Sequence, residues 1–151
     1  VWGKEAIGRA AAGRFMAQLA ENAKLPAVHG GLPEVGHNQI VTFDGQLAAA
    51  ASSSDIFADP EIDGHQRDLH LVLLRDSTEH AAITRRVELI KQITASRNIP
   101  VTEVLAQGDH RLSRIASLVV PTDWASAYAA IAMGIDPSPI GPIDELKAGL
   151  S

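Results

Sequence analysis

The sequence predicts a single α/β domain: a parallel sheet flanked by helices in a three-layer sandwich. Three observations carry that prediction. Residues 67–76 contain the near-continuous apolar run Leu69, Leu71, Val72, Leu73 and Leu74, the pattern of a parallel strand covered on both faces. Helical periodicity precedes and follows that run. The order strand, helix, strand, helix then repeats, and parallel strands joined in this way require helical crossovers. With 151 residues the chain is the size of one domain and can bury a substantial core.

The first residues, Val-Trp-Gly, lack a methionine and read as the end of a strand in the downstream part of a longer protein. A helix follows over residues 4–24, with Ile7, Ala11, Met16, Leu19 and Ala23 near one stripe and Arg9, Arg14 and Gln18 on the other faces. Gly8 and Gly13 weaken that helix and point to close packing on a sheet or a second subunit, and Pro26 ends it. Residues 37–43 read as a short helix that turns at Asp44-Gly45. Residues 48–64 read as loop, with a serine run at 52–54 and turns at 59–64. After the strand at 67–76, Ser77 or Thr78 can cap a helix over 79–97 that buries Ile83, Val87, Ile90 and Ile93. Residues 100–106 form the next strand. A helix from His110 is expected to break at Pro121, and Thr122 or Asp123 to cap a final helix that ends at Gly134. A proline-rich tail, 136–143, leads to a short helix from Asp144.

Composition narrows the function. The net charge of −5 and pI near 5.6 argue against nucleic acid or an anionic membrane as the main partner. Without cysteine there is no disulfide or thiolate chemistry, which fits a cytoplasmic protein. No apolar run in the sequence approaches the ~20 residues of a membrane-spanning helix. The histidines His29, His65, His70, His80 and His110 have no metal-ligand spacing among themselves, so no metal site is expected.

One stretch concentrates chemistry. Residues 21–41 gather Glu21, Asn22, Lys24, His29, Glu34, His37 and Asn38 in a segment interrupted by glycines and prolines. Titratable groups in a pinned, irregular segment suit a site, although a polar surface turn has the same composition. Glu21 falls at the carbonyl end of its helix, where the anion is disfavoured, as a base requires. His37 suits proton shuttling at neutral pH, yet it could equally cap a short helix, as could Asn38. Lys147 alone reads as a solvated last-turn lysine.

Taken together, Glu21-Asn-Ala-Lys, Leu32-Pro-Glu, His37-Asn and the tail Asp136-Pro-Ser-Pro-Ile-Gly-Pro-Ile-Asp-Glu-Leu-Lys resemble a known pattern. Over nearly its whole length the chain resembles the C-terminal half of the bifunctional phosphoglucose/phosphomannose isomerases, proteins built from two SIS (sugar isomerase) domains. The resemblance implies the SIS sandwich over residues 1–151 and interconversion of an aldose 6-phosphate with fructose 6-phosphate through a cis-enediol. It implies no metal and no organic cofactor. By the same resemblance Glu21 matches the catalytic base, and His37 matches a ring-opening histidine contributed across a homodimer interface. Lys147 matches a lysine associated with the active site, while Lys24 and Glu34 are left with structural roles.

Three departures accompany the match. Gln39 stands where the family has a glutamate after His-Asn, and Tyr128-Ala-Ala stands for a Tyr-Leu-Ala signature. The family's phosphate loop lies in the first SIS domain, and a phosphosugar dianion needs such a nest of N–H donors. The chain alone is therefore expected to be an inefficient isomerase, one half of an active site. The alternative is a non-catalytic SIS module for sugar-phosphate binding or dimerisation.

Overall fold

The computed structural model describes residues 1–49 and 69–150. The serine run and the turns expected at 59–64 lie outside the described residues, as does His65. In chain order the elements are β1 (Trp2–Gly3), α1 (Glu5–Ala23), β2 (Gly30–Gly31), two 3-10 turns (Glu34–Gly36 and Gln39–Asp44) and α2 (Gln46–Ala49). Then come β3 (Leu71–Arg75), α3 (Ala81–Ala95), β4 (Val101–Leu105), α4 (Arg111–Ala132) and α5 (Gly141–Gly149).

The strands form one parallel sheet in the order β2-β1-β3-β4. From β1 the chain steps outward to β2 through α1, and from β3 it steps the other way to β4 through α3. Right-handed crossovers in opposite directions place α1 and α3 on opposite faces. The packing agrees. Leu74 joins Ile7, Ala11, Phe15 and Leu118 in one core cluster, while its neighbour Leu73 joins Trp2, Phe43, Ile83, Val87 and Ile90 in the other. Adjacent strand residues thus feed the two cores, as the pleat requires.

The approach of α1 to the sheet explains two glycines. A Cβ on Gly8 would lie 2.5 Å from the Leu74 carbonyl oxygen, and one on Gly3 would lie 2.0 Å from the Gly8 carbonyl oxygen. Gly13 makes only ordinary contact, 3.6 Å from the His29 ring.

Charges tie the carboxyl end of β3 to the middle of β4. Arg75 is paired with both Glu79 and Glu103, and Lys91 reaches Glu103 at 3.0 Å and Glu88 at 3.2 Å. Glu79 and, secondarily, Glu103 raise the pKa of Arg75. Burial pushes the Glu103 carboxyl up, but Arg75 and Lys91 together bring it below its ordinary value. Beside them Arg114 Nε stands 2.8 Å from Asp76 Oδ1, off the hydrogen-bond angle, so this buried pair is coulombic.

Four local readings are corrected. The cap of α3 is His80, whose Nδ1 accepts from the Ala82 N–H at 3.1 Å, rather than Ser77 or Thr78. The Gly30-Gly31 pair forms a strand, which no propensity signals. The two helices expected on either side of Pro121 are one helix, α4. Pro121 withholds one backbone donor, but Arg14 on α1 pairs bidentately with Asp123, and Leu118, Thr122, Ser126 and Ala130 pack inward across the break. As a continuous helix α4 is also long and apolar enough to cross a membrane by length and composition, which the sequence divided at Pro121 concealed. Here its inner face lies along α1.

Candidate functional site

Glu21 is exposed in the last turn of α1. Three features build the surroundings of that helix end. Asn22 Nδ2 donates to Ser126 Oγ at 2.7 Å and fixes the last turn to α4. Lys24 ends the helix in the left-handed region, φ 56°, with its N–H donating to the Leu19 carbonyl. Its ammonium then turns back and donates to the Glu21 carbonyl at 2.6 Å and the Pro139 carbonyl at 2.9 Å, with Pro137 O at 3.5 Å. The proline-rich tail is thereby drawn to the helix end that carries Glu21. Asp136, at the start of the tail, accepts from the Ser138 N–H at 2.9 Å. That bond chiefly, and the Lys24 charge in addition, hold its carboxyl below the ordinary range.

Lys147 lies on α5, which follows directly from this tail and has no buried residue. The tail and Glu21 therefore share one region of the surface. His37 does not belong to it. It sits between the two 3-10 turns, over the face covered by α3, and lines a small groove of about 150 Å³ with Leu32, Ile40, Arg86, Leu89 and Ile93. Asn38, not His37, caps the second 3-10 turn, its Oδ1 accepting from the Gln39 N–H at 2.6 Å. Within one chain Glu21 and His37 are thus on opposite faces of the sheet. Because α1 runs back antiparallel to the strands, Glu21 also lies towards their amino ends. In open parallel sheets ligands bind beyond the carboxyl ends of the strands where the strand order reverses, here between β1 and β3, and that edge lies away from Glu21.

Gln39 is built into the fold. Its Oε1 accepts from Trp2 Nε1 at 2.7 Å, and its Nε2 donates to the His29 carbonyl at 3.2 Å. A Cβ on Gly30 would fall 2.2 Å from Val35 Cγ1 and 2.8 Å from Gln39 Nε2, so the glycine makes room for this bridge. Tyr128, in the other departure, is exposed on α4 and stacked on Trp124 with ring centroids 5.9 Å apart. Sequence reasoning missed the reach of Lys24, because its tail partners lie more than a hundred residues away. Among the described residues no group of three or more His, Asp or Glu side chains is placed to hold a metal ion.

The model of the bacterial phospho-glucose isomerase C-terminal SIS domain matches residues 1–150. The chain belongs to this SIS-domain family. Similar proteins include the bifunctional phosphoglucose/phosphomannose isomerase of Caldicellulosiruptor bescii, 28% identical over 151 residues, which are all of this chain and 40% of the relative. The protein of the same name from Aquifex aeolicus is 27% identical over 137 residues, 91% of this chain and 38% of the relative. This SIS domain therefore spans about two fifths of the length of those relatives. A crystal structure of a glucose-6-phosphate isomerase like protein from Thermus thermophilus superposes with a TM-score of 0.59 over 97% of this chain and 42% of that one, at 23% identity. That likeness supports the fold.

Proposed function

We propose that this SIS domain is the C-terminal half of a phosphosugar aldose–ketose isomerase that interconverts glucose 6-phosphate or mannose 6-phosphate with fructose 6-phosphate. The observation that carries the reading is the convergence of the Lys147-bearing tail on the Glu21 end of α1, in a chain that fits the isomerase family from end to end. In the open-chain aldose, the Glu21 carboxylate removes the proton from C2 while water protonates O1, giving the cis-enediol. The carboxylic acid so formed returns the proton to C1 as the O2 hydroxyl gives its own back to water and becomes the ketone. His37 serves ring opening by moving a proton from the O1 hydroxyl to the ring oxygen. Its place on the opposite face from Glu21 favours a site shared between two copies, with His37 supplied by the partner. Lys147 completes the polar lining, and the phosphate is held by residues outside this chain.

A coupled assay of the complete protein with both aldose phosphates tests this. Glu21→Gln should lower kcat by about 10²–10⁴-fold, the usual share of a general base. A shared site makes a further demand. Mixing inactive Glu21→Gln with inactive His37→Ala protein should restore about a quarter of the activity, because mixed dimers carry one intact site. Undiminished activity in Glu21→Gln would sink the base assignment. A protein inactive on both sugars would favour a binding or dimerisation module.

A further inference from the structure

We infer that Lys24 is a positioning residue, the clasp that seats the proline-rich tail, and with it α5, beside Glu21. The inference rests on the isomerase reading for its functional half and on geometry for its structural half. Lys24 occupies a left-handed C-cap, φ 56°, a position that glycine or asparagine fills more comfortably. A lysine there accepts local backbone cost, and its ammonium returns something those residues cannot supply. It bonds its own helix end through Glu21 O at 2.6 Å and the tail through Pro139 O at 2.9 Å, with Pro137 O at 3.5 Å. Prolines at 137 and 139 suit the arrangement, since they stiffen the backbone that presents those carbonyls. Asp136 adds a carboxylate near the ammonium.

Burial holds the tail only in part, through the half-buried Ile135, Pro137 and Ile140. Every residue of α5 is exposed, so apolar packing cannot fix its position. Charge-assisted bonds from the Lys24 cation tie the tail to the last turn of α1. Glu21 carries its carbonyl to Lys24 and its carboxylate to solvent, so the same residue is both anchor and proposed base. A change in the clasp moves the tail against that base. Misplacement of about 1 Å can cost up to about a hundredfold in rate with little effect on ground-state binding.

The test compares the complete wild-type protein with Lys24→Met, Lys24→Asn and Lys24→Arg, by amide hydrogen exchange across residues 136–150 and by steady-state kinetics with glucose 6-phosphate. Lys24→Met should exchange faster by about tenfold across the tail and lose about tenfold in kcat, with KM changed less than about threefold. Lys24→Arg should recover part of both, since it keeps the cation. Lys24→Asn separates the clasp from backbone strain, because asparagine suits the left-handed region but cannot reach the tail; it should behave as Lys24→Met does. Tail exchange unchanged in both Met and Asn variants would overturn the clasp. Faster tail exchange with kcat unchanged would overturn the positioning role. A wild type without turnover would overturn the isomerase reading instead, and the exchange measurements would still decide the clasp.

Discussion

Helices α3 and α4 cover opposite faces of the same sheet and do so in contrasting ways. α3 buries Ile83, Val87, Ile90 and Thr94 and turns Arg85, Arg86 and Glu88 to water. α4 buries Arg114, Leu118, Thr122, Ser126 and Ala130, a row of mostly small and polar side chains at intervals of four, and exposes Val120, Trp124, Tyr128 and Ile131. On the α3 face the hydrophobic effect supplies cohesion. On the α4 face small residues admit close approach to α1, and specific polar links, Asn22 to Ser126 and Arg14 to Asp123, fix its register. The lesson is an unequal division of labour. Both faces bury an apolar cluster, and the α4 face adds the polar links that set where the carboxyl end of α1 lies.

That contrast can be broken from either side. The largest stability effect is expected on the α3 face. Ile83→Ala opens a cavity in the buried cluster and should cost about 2–4 kcal/mol, read as a lower urea midpoint at unchanged slope. On the other face, Ser126→Leu should cost less, about 1–3 kcal/mol, by forcing a large side chain into the α1–α4 contact. Its distinguishing sign is faster amide exchange in residues 20–24, where the Asn22 bond has been lost. An exchange pattern there equal to wild type would show that neither the polar link nor the close packing at 126 places the helix end. The smallest effect is electrostatic and belongs to the β3–β4 edge. The folded Glu103 carboxyl lies below its ordinary pKa of 4.5, so its contribution is present above that pH and fades as acidification passes through the lower folded value. Glu103→Gln should therefore lose stability at neutral pH and show a flatter decline below about pH 4.5, measured by urea midpoints across the acid range.

The same contrast explains what could be read in advance. β3, α3 and β4 follow from apolar periodicity, because burial dominates their placement. α4 is divisible on paper at Pro121, since the contacts that carry it across the break come from α1, far away in sequence. β2 is two glycines held by pairing with β1, and pairing has no local signature. At the candidate site, Glu21 is legible as a helix-end carboxylate. The separation of His37 onto the other face is not, because it depends on the direction of each crossover. His80 as a cap shows the limit of residue preference: an imidazole nitrogen in the right place accepts as well as a hydroxyl.

Gln39 carries a consequence for anyone redesigning this domain. From the family pattern it looks like a lost carboxylate awaiting restoration. Its amide, however, faces a donor on one side, Trp2 Nε1, and an acceptor on the other, the His29 carbonyl. Glutamate would keep the first contact and set an anion against a carbonyl oxygen at the second. Gln39→Glu should therefore destabilise the domain, because the backbone carbonyl at 29 stays in place whatever side chain position 29 carries.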